Sequence, residues 1–255
     1  MCYDIKTSLE KQLRRALLDG SASDAQEIAE KLEIFSKDQI SLHHSSGFEH
    51  PTMFIYTQDK PNIPAIATWG LVPEWSADKE SIWNKTLNAR GETIFEKPSF
   101  KDSAFHKRCL IYLEGFYEHH HKNGKTYPYF IRHRNKDLFA VAGLWSEWKN
   151  ELGDKLKTFS IITTRANSLM ADIHNNPKLK EPRMPLLLEE KAEVQWLNGS
   201  LKQSEIEKLI APVPADCLVA HTVAPIKGSN ASGNVPQVSE ERKYSELSVN
   251  QLDLF

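Results

Sequence analysis

The sequence lacks the features that would tie it to a membrane, a disulfide scaffold or a general nucleic-acid surface. No run approaches the roughly 20 apolar residues of a membrane span, and the first residues lack the apolar core of a signal peptide. Cysteine is rare: Cys2, Cys109 and Cys217 are odd in number and far apart, which fits neither a disulfide framework nor a zinc site. The formal net charge of −2 gives no overall basic field, so a nucleic-acid partner would need a local cationic face.

What is present is an ordinary globular composition, with 40% hydrophobic and 26% charged residues in a chain of 255. Such a chain can bury a sizeable core as one large domain or as two small ones. No internal repeat is visible. Together with the three unpaired cysteines, this composition predicts a soluble protein of the cytoplasm.

The N-terminal part predicts one strand, two helices and a loop. A short strand is expected over Cys2 to Ile5, and apolar residues at helical spacing predict an extra helical pair within residues 8–36. Residues 41–51 have the composition of a loop. The histidines of this loop are His43, His44 and His50. Their spacing matches no metal-site template, so solvated side chains are favoured over a metal site.

From Thr52 the sequence changes to short β-rich runs separated by turns. These runs are Met53 to Tyr56, Ala65 to Trp69, Leu110 to Leu113, Tyr127 to Arg132, Leu138 to Val141 and Phe159 to Thr163. The Asn123-Gly124 pair is the strongest hairpin signal in the chain. Helical patterns return only over Ala166 to Ile173, Glu189 to Leu197 and Ser204 to Ile210. The sequence therefore predicts an α+β fold, a single domain built on mainly antiparallel, barrel-like β-strands with flanking helices. Beyond about Pro225 a polar, irregular tail is expected.

Cys2 is a candidate nucleophile because of its position. An aminopeptidase or autoprocessing step that removes Met1 would leave a residue carrying both an α-amine and a thiol. These groups titrate near ~8 and ~8.5 in model compounds, so a useful fraction of each is unprotonated near neutral pH. An aldehyde is the matching electrophile, because the amine and the thiol can add to one carbon to give a thiazolidine. The alternative is a cysteine without chemical significance at the start of a chain.

Four further stretches place polar residues in apolar or turn-rich frames. Thr68 to Trp75, TWGLVPEW, is either an aromatic platform for an unstacked base or a core corner. Leu87 to Lys101 places Asn88 two residues from Arg90, a pair that suits a sugar hydroxyl and a phosphate but is also common at caps and surfaces.

The other two stretches contain candidates for proton transfer. Cys109 to His121 brings an apolar run to Glu114 and then, past two aromatic residues, to Glu118. Desolvation can raise the pKa of a carboxylate at the end of a strand beside aromatic residues, although an exposed strand-end glutamate is an equal alternative. The histidines that follow Glu118, residues 119–121, are expected to be solvated. Ile161 to Leu188 contains His174, which is either structural or a proton shuttle.

Five motifs follow one another along the chain: Cys2, WGLVPEW, NARGET with EKPSF, EGFYEHH, and TTRAN with IHNNPKLKEPRMP. This order resembles the SOS-response-associated peptidase family, whose members crosslink to abasic sites in single-stranded DNA. The resemblance runs from Cys2 to about Pro225 and implies a catalytic domain over residues 1–225, with no cofactor and no metal. It implies catalytic roles for Cys2, Asn88, Glu118 and His174. It implies DNA contacts for Arg90, Trp69, Pro73, Trp75, Pro51, Arg165 and Arg183.

The same resemblance implies a monomer that works near the nucleoid and forms a thiazolidine crosslink, with autoproteolytic and lyase activity. The family usually begins Met-Cys-Gly-Arg, whereas this chain has Tyr3 and Asp4 after the cysteine. An acidic residue therefore replaces an arginine that would contact DNA. One alternative is a cysteine-dependent peptidase, in which the Cys2 thiol is an acyl-transfer nucleophile and His174 its base. The other is a non-enzymatic DNA-damage adaptor.

The last residues carry a separate signal. Residues 226–255 are polar and end in Gln251-Leu252-Asp253-Leu254-Phe255. Gln251, Leu252, Leu254 and Phe255 resemble the short motif by which bacterial proteins dock into the replicative sliding clamp, with a polar hook and apolar anchors. The alternative is a hydrophobic terminus without a partner.

Overall fold

The computed structural model describes residues 2–8, 11–12, 26 and 41–248. Lys11, Gln12 and Gln26 are helical, and the rest of the predicted helical pair lies outside the described residues. The strands are β1 Asp4–Ser8, β2 Ser41–Ser46, β3 Thr52–Thr57, β4 Lys60–Trp69, β5 Asn88–Arg90, β6 Arg108–Leu113, β7 Gly115–Lys122, β8 Lys125–His133, β9 Phe139–Lys149, β10 Lys155–Arg165, β11 Arg183–Pro185, β12 Leu187–Leu188 and β13 Leu218–Thr222. The α-helices whose ends both lie in the described part of the chain are α1 Lys101–His106, α2 Ser168–Ile173, α3 Glu190–Trp196, α4 Gln203–Leu209 and α5 Ser245–Ser248.

Five strands close into a barrel. β4, β3, β6, β9 and β10 follow one another in antiparallel pairs, and a parallel pairing of β10 with β4 completes the ring. Closure leaves none of these five strands as an open edge, which removes the usual route to edge-to-edge association. The predicted α+β, mainly antiparallel and barrel-like fold is confirmed.

A second, five-stranded antiparallel sheet has the order β13-β8-β7-β1-β2. Its β7–β8 hairpin turns at Asn123 and Gly124, whose φ angles of 51° and 74° are both positive. A two-residue hairpin turn with two positive φ angles needs such residues, so the predicted hairpin is confirmed. This sheet carries the N-terminal strand β1 between β7 and β2, which sets the position of Cys2 at its start.

Both faces of the barrel strands are buried. Along β3, Met53 and Ile55 pack in one apolar cluster, whereas Phe54 and Tyr56 pack in another. Neighbouring side chains of a strand point to opposite faces, so a strand covered on both sides reads as a continuous apolar run. This is why these runs were visible in the sequence.

Two expectations about polar segments were wrong. Residues 41–51 form strand β2 and a 3-10 turn, Gly47–Glu49, rather than a loop, because the backbone of β2 pairs with β1 although its side chains are polar. The histidines of residues 119–121 are half-buried in β7 rather than solvated.

Two apolar residues of the polar C-terminal stretch, Ile226 and Val238, are buried with Val223, Tyr117 and Phe130. In the described part of the chain, no helix has the length and apolar character needed to cross a membrane.

Candidate functional site

Cys2 lies buried immediately before β1, with 1% of its surface exposed. The side-chain amide of Asn88 donates a hydrogen bond to the Cys2 carbonyl at 2.8 Å. Asn88 begins β5, which lies parallel to β10, and the preceding residue, Leu87, accepts a hydrogen bond from the indole N–H of Trp69 at 2.8 Å. The short NAR strand is thus fixed on the barrel, and its first side chain holds the backbone of Cys2.

Glu118 and His174 form the second part of the site. Glu118 is on β7, which pairs with β1, and His174 follows α2; Glu118 Oε2 lies 3.8 Å from His174 Nε2. The backbone N–H of Arg183 donates to His174 Nδ1 at 2.8 Å. A neutral imidazole that accepts at Nδ1 carries its proton on Nε2. His174 therefore presents an N–H toward the Glu118 carboxyl group.

Burial decides the protonation states of these groups. It lowers the pKa of His174 to about 4, so the ring is neutral at pH 7. Burial also raises the pKa of Glu118 above its ordinary value, as the sequence predicted for a carboxyl group beside aromatic residues. The Cys2 thiol has a strongly raised pKa, first because it is buried and next because the Glu118 charge lies near it. A neutral thiol and a carboxyl group that holds its proton more readily therefore share this site.

Asp4 does not present a free negative charge beside Cys2. Its carboxylate is 3% exposed, with one oxygen 2.6 Å from Lys227 Nζ and the other 3.1 Å from His44 Nε2. Burial by itself would raise the pKa of Asp4, but the hydrogen bonds and charges of His44 and Lys227 outweigh it and lower that pKa. The departure from Gly-Arg at residues 3 and 4 thus comes with a compensating cation from the C-terminal stretch.

A cleft of about 610 Å³ opens beside the Cys2–Asn88 contact. Its lining includes Tyr3 and Asn88 at one end and the 63% exposed Trp75. The charged residues among those that line it are Lys85, Arg90 and Lys97. A cleft with basic side chains and an exposed indole suits a single-stranded nucleic acid, whose phosphates and unstacked bases need those partners.

The predicted DNA-contacting residues divide into exposed and buried groups. Trp75 is exposed, Pro51 is half-buried, and the side chains of Arg90 and Arg165 are 49% and 77% exposed. Both arginines lie beside Glu181, at 3.4 Å for Arg90 and 3.9 Å for Arg165. These four residues stand where a ligand can reach them.

Three of the predicted DNA contacts are buried in the structure. Trp69 is fully buried, and its indole holds the Leu87 carbonyl behind the cleft instead of stacking on a base. Pro73 is buried and does not line the cleft. Arg183 is 2% exposed, and its guanidinium is engaged by Glu92 at 2.6 Å and Glu181 at 3.0 Å. The backbone of Arg183 contacts His174, and its guanidinium is occupied by two carboxylates.

Among the described residues, one group of side chains that could bind a metal lies away from Cys2. Ligand atoms of His133, Glu189 and Cys217 lie within 4.8 Å of one another. The Asn135 backbone N–H donates to His133 Nδ1 at 3.1 Å, so the neutral ring carries its proton on Nε2, which faces Glu189 at 3.4 Å. A metal-binding histidine instead donates through its second nitrogen. Lys136 also occupies the other Glu189 oxygen at 2.8 Å. This donor set is engaged in hydrogen bonds and does not fit a metal ion.

The sequence did not reveal the Asp4, His44 and Lys227 cluster or the cations Lys85 and Lys97. Lys227 and Asp4 are separated by most of the chain, and no local pattern links them. A signal was available for the cleft: Lys85 and Lys97 flank the NARGET stretch on both sides. Counting cations around that motif would have identified them.

Comparisons with known proteins agree with the order of motifs. A family model described as SOS response associated peptidase (SRAP) matches residues 1–228. The abasic site processing protein YoaM of Bacillus subtilis is 37% identical over 211 residues, covering 82% of this chain and 89% of its own length. The abasic site processing protein YoqW of the same species is 39% identical over 174 residues, which is 68% of this chain and 74% of YoqW. A crystal structure of a Bacteroides thetaiotaomicron protein aligns with a TM-score of 0.82 and 30% identity, covering 95% of this chain and all of that one.

Proposed function

The chain belongs to the SOS response associated peptidase family, and on that premise we propose that it processes abasic sites in single-stranded DNA by forming a covalent crosslink through Cys2. The observation that carries the proposal is the placement of four residues: Asn88 holds the Cys2 backbone, and Glu118 and His174 face each other on elements around β1, which begins two residues after Cys2. Two curated relatives bear the name abasic site processing protein, which supports the same substrate.

The first step of the mechanism is the removal of Met1. In the sequence as translated, the Cys2 nitrogen is an amide and cannot add to a carbonyl carbon. Hydrolysis of the Met1–Cys2 peptide bond, by the protein itself or by an aminopeptidase, gives a free α-amine. Cys2 then carries two nucleophiles on adjacent carbons.

The second step opens the abasic sugar. The deoxyribose is mostly a closed hemiacetal, so a proton must leave the anomeric hydroxyl and another must reach the ring oxygen before an aldehyde exists. Glu118, with its raised pKa, can hold and return a proton near neutral pH, and the His174 Nε2–H faces it. Asn88 orients the sugar and keeps the Cys2 backbone in place.

The last steps form the crosslink. The Cys2 amine adds to the aldehyde carbon, and loss of water leaves an imine. The thiol then adds to the imine carbon while its proton passes to the nitrogen, so that one water is the only molecule released and a thiazolidine ring results. The thiol does not need to be a thiolate beforehand, which agrees with its raised pKa. A proton passed from Glu118 to the departing sulfur supports the reverse reaction, in which the ring opens to the imine and one water hydrolyses it to the aldehyde and the free Cys2 amine.

The test uses a single-stranded oligonucleotide with one abasic site and protein whose Met1 removal is verified by mass spectrometry. We expect an adduct that survives a denaturing gel and is lost in Cys2→Ala. Cys217→Ala is the matched control, because Cys217 is the partly exposed thiol outside the site, and it should crosslink normally. Absence of an adduct with the mature wild-type protein would sink the proposal.

A cysteine peptidase acting on other proteins is the rival function. It requires a base that takes the thiol proton and a thiol that ionises near neutral pH. Here the His174 Nε2 already carries a proton, and the thiol pKa is raised. A protonated His174 Nε2 and a neutral Cys2 thiol favour reaction with an aldehyde. We expect peptide hydrolysis to be limited to the Met1–Cys2 bond. Turnover of peptide substrates in trans would favour the rival.

We further propose that residues 226–255 end in a docking motif for the bacterial sliding clamp, which would bring the protein to replication forks as a monomer near the nucleoid. The support is the sequence Gln251 to Phe255, which lies outside the described residues. Deleting these five residues should abolish clamp binding in a pull-down and leave crosslinking intact. Equal clamp binding by the truncated and full-length proteins would refute this role.

A further inference from the structure

An exposed aromatic pair lies next to the nucleophile. The rings of Tyr3 and Phe48 are tilted by 41° with centroids 4.9 Å apart. Phe48 is 52% exposed, and Tyr3, which directly follows Cys2, is half-buried and lines the cleft. Neighbouring apolar side chains that stay exposed beside a cleft are a common mark of a ligand-binding surface. The mechanism described above uses neither ring.

The turn that presents Phe48 is fixed on both sides. The backbone N–H of Gly47 donates to the Tyr3 carbonyl at 2.7 Å, which ties this turn to the residue after Cys2. A Cβ atom at Gly47 would lie 3.2 Å from carbons of the Trp69 ring, so a glycine lets the backbone approach the core closely. His50 ends the turn with a positive φ of 50°. The exposed Phe48 ring is thus held at a set position rather than on a free loop.

The charges around the pair favour one class of ligand. Tyr3 shares the cleft with Lys85, Arg90 and Lys97, and no acidic residue belongs to the lining, although the exposed Glu49 follows Phe48 outside it and Glu181 pairs with Arg90. An apolar protein segment offers these cations no partner, whereas a single strand of nucleic acid supplies phosphates for the cations and flat bases for the rings. Successive Cα atoms are ~3.8 Å apart, so the side chain of residue 3 reaches the nucleotides that flank a sugar joined to residue 2.

We propose that Tyr3 and Phe48 form a stacking surface for the nucleobase adjacent to the abasic sugar, and that this surface sets a preference for abasic sites whose neighbouring nucleotide carries a base over sites whose neighbour lacks one. The inference rests on the proposed function and adds the specificity of the same site. Stacking contributes to capture of the strand, while the reacting atoms remain those of Cys2. It therefore changes the concentration needed for half-maximal crosslinking rather than the maximal rate.

The experiment compares two oligonucleotides with the wild-type protein, Phe48→Ala and Tyr3→Ala. One oligonucleotide has purines on both sides of a single abasic site, and the other has unreactive tetrahydrofuran spacers there. A stacked base contributes a factor of roughly 5 to 150 in binding. For the wild-type protein, we expect half-maximal crosslinking to require a concentration of the spacer oligonucleotide that is higher by about this factor, at an unchanged maximal rate. Phe48→Ala and Tyr3→Ala should lose the difference, and Tyr3→Phe should keep it.

Leu152→Ala serves as the control, because Leu152 is 88% exposed on the β9–β10 turn and does not line the cleft. Thermal melting and near-UV circular dichroism of each variant check that the fold is retained. A wild-type protein that crosslinks both oligonucleotides equally, or a Phe48→Ala protein that keeps the full difference, overturns the stacking surface while the crosslinking function stands. A wild-type protein that crosslinks neither oligonucleotide overturns the proposed function and the stacking surface with it.

Discussion

The backbone N–H of Arg183 donates to His174 Nδ1 at 2.8 Å and thereby fixes which nitrogen of the imidazole faces Glu118. The guanidinium of the same residue is held by Glu92, Glu181 and Thr163, so the whole segment is fixed before any substrate arrives. A proton shuttle that depends on one tautomer benefits from such a rigid support.

Because His174 is buried, we expect the folded protein to lose stability in mild acid. The pKa of His174 is about 4 in the folded chain, against about 6.5 for an exposed histidine. The unfolded chain therefore binds one more proton between these values, and stability falls as the pH is lowered from about 6.5 toward 4. His174→Gln, which cannot titrate, should flatten this part of the curve of unfolding free energy against pH. Urea denaturation at half-unit pH steps measures it, with His106→Gln, a largely exposed histidine, as the control. Parallel curves for the wild-type and His174→Gln proteins would contradict the prediction.

The Asp4–Lys227 ion pair predicts a coupling between the two ends of the described chain. Lys227→Met leaves the buried Asp4 carboxylate with His44 alone, and we expect a loss of about 1–2 kcal/mol, because Lys227 is half-exposed and a hydrogen bond to a charge contributes roughly 1.5–3 kcal/mol. Adding Asp4→Asn to Lys227→Met should recover part of that loss, since no buried charge then remains.

The same ion pair predicts the direction in which stability changes with pH. Because the folded-state pKa of Asp4 is lowered, its contribution is present above about 3.8 and is lost as the pH falls through the folded-state value. Chemical denaturation of the two single variants and the double variant at pH 7 and pH 3 measures both effects. Additive losses at pH 7 would show that the two side chains do not interact.

We expect mutation of Glu181 to increase the affinity for single-stranded DNA. The Glu181 carboxylate pairs with Arg90 at 3.4 Å and Arg165 at 3.9 Å, the two exposed arginines that the family resemblance assigns to DNA. It also contacts the buried Arg183 at 3.0 Å, which keeps Glu92 and Thr163 as partners when Glu181 is changed. Glu181→Gln should free both cations for phosphate, so single-stranded DNA binds more tightly and its affinity falls more steeply with salt. Fluorescence anisotropy at several salt concentrations gives the slope. Glu190→Gln, an exposed glutamate at the start of α3, is the matched change of charge and should leave the slope unaltered. An unchanged slope in Glu181→Gln would argue against phosphate contacts from these arginines.

The sequence predicted more of the fold than of the surface of the site. The barrel strands were visible because both of their faces are buried, as for Met53 and Phe54, and the hairpin because Asn123-Gly124 suits positive φ angles. Strand β2 was missed since its pairing with β1 is a backbone property that its polar side chains do not reveal. The family resemblance assigned Trp69 to DNA, while its motif also allowed a core corner, and only the three-dimensional packing separates the buried Trp69 from the exposed Trp75. Asp4 and Lys227 meet through the tertiary fold, which no local pattern encodes.

Asn88 offers the sharpest test of how Cys2 is positioned. Its Nδ2 donates to the Cys2 carbonyl, and its buried Oδ1 has no hydrogen-bond partner among the described residues, which leaves that oxygen able to accept from a sugar hydroxyl. Asn88→Asp keeps the shape but replaces the donor with an acceptor that opposes the carbonyl. Losing one such hydrogen bond costs about 1–3 kcal/mol, which predicts a crosslinking rate roughly 5- to 150-fold lower. Asn62→Asp, an exposed asparagine on β4, should leave the rate unchanged. Single-turnover crosslinking at saturating protein measures both variants, and a wild-type rate in Asn88→Asp would mean that Cys2 is held by β1 alone.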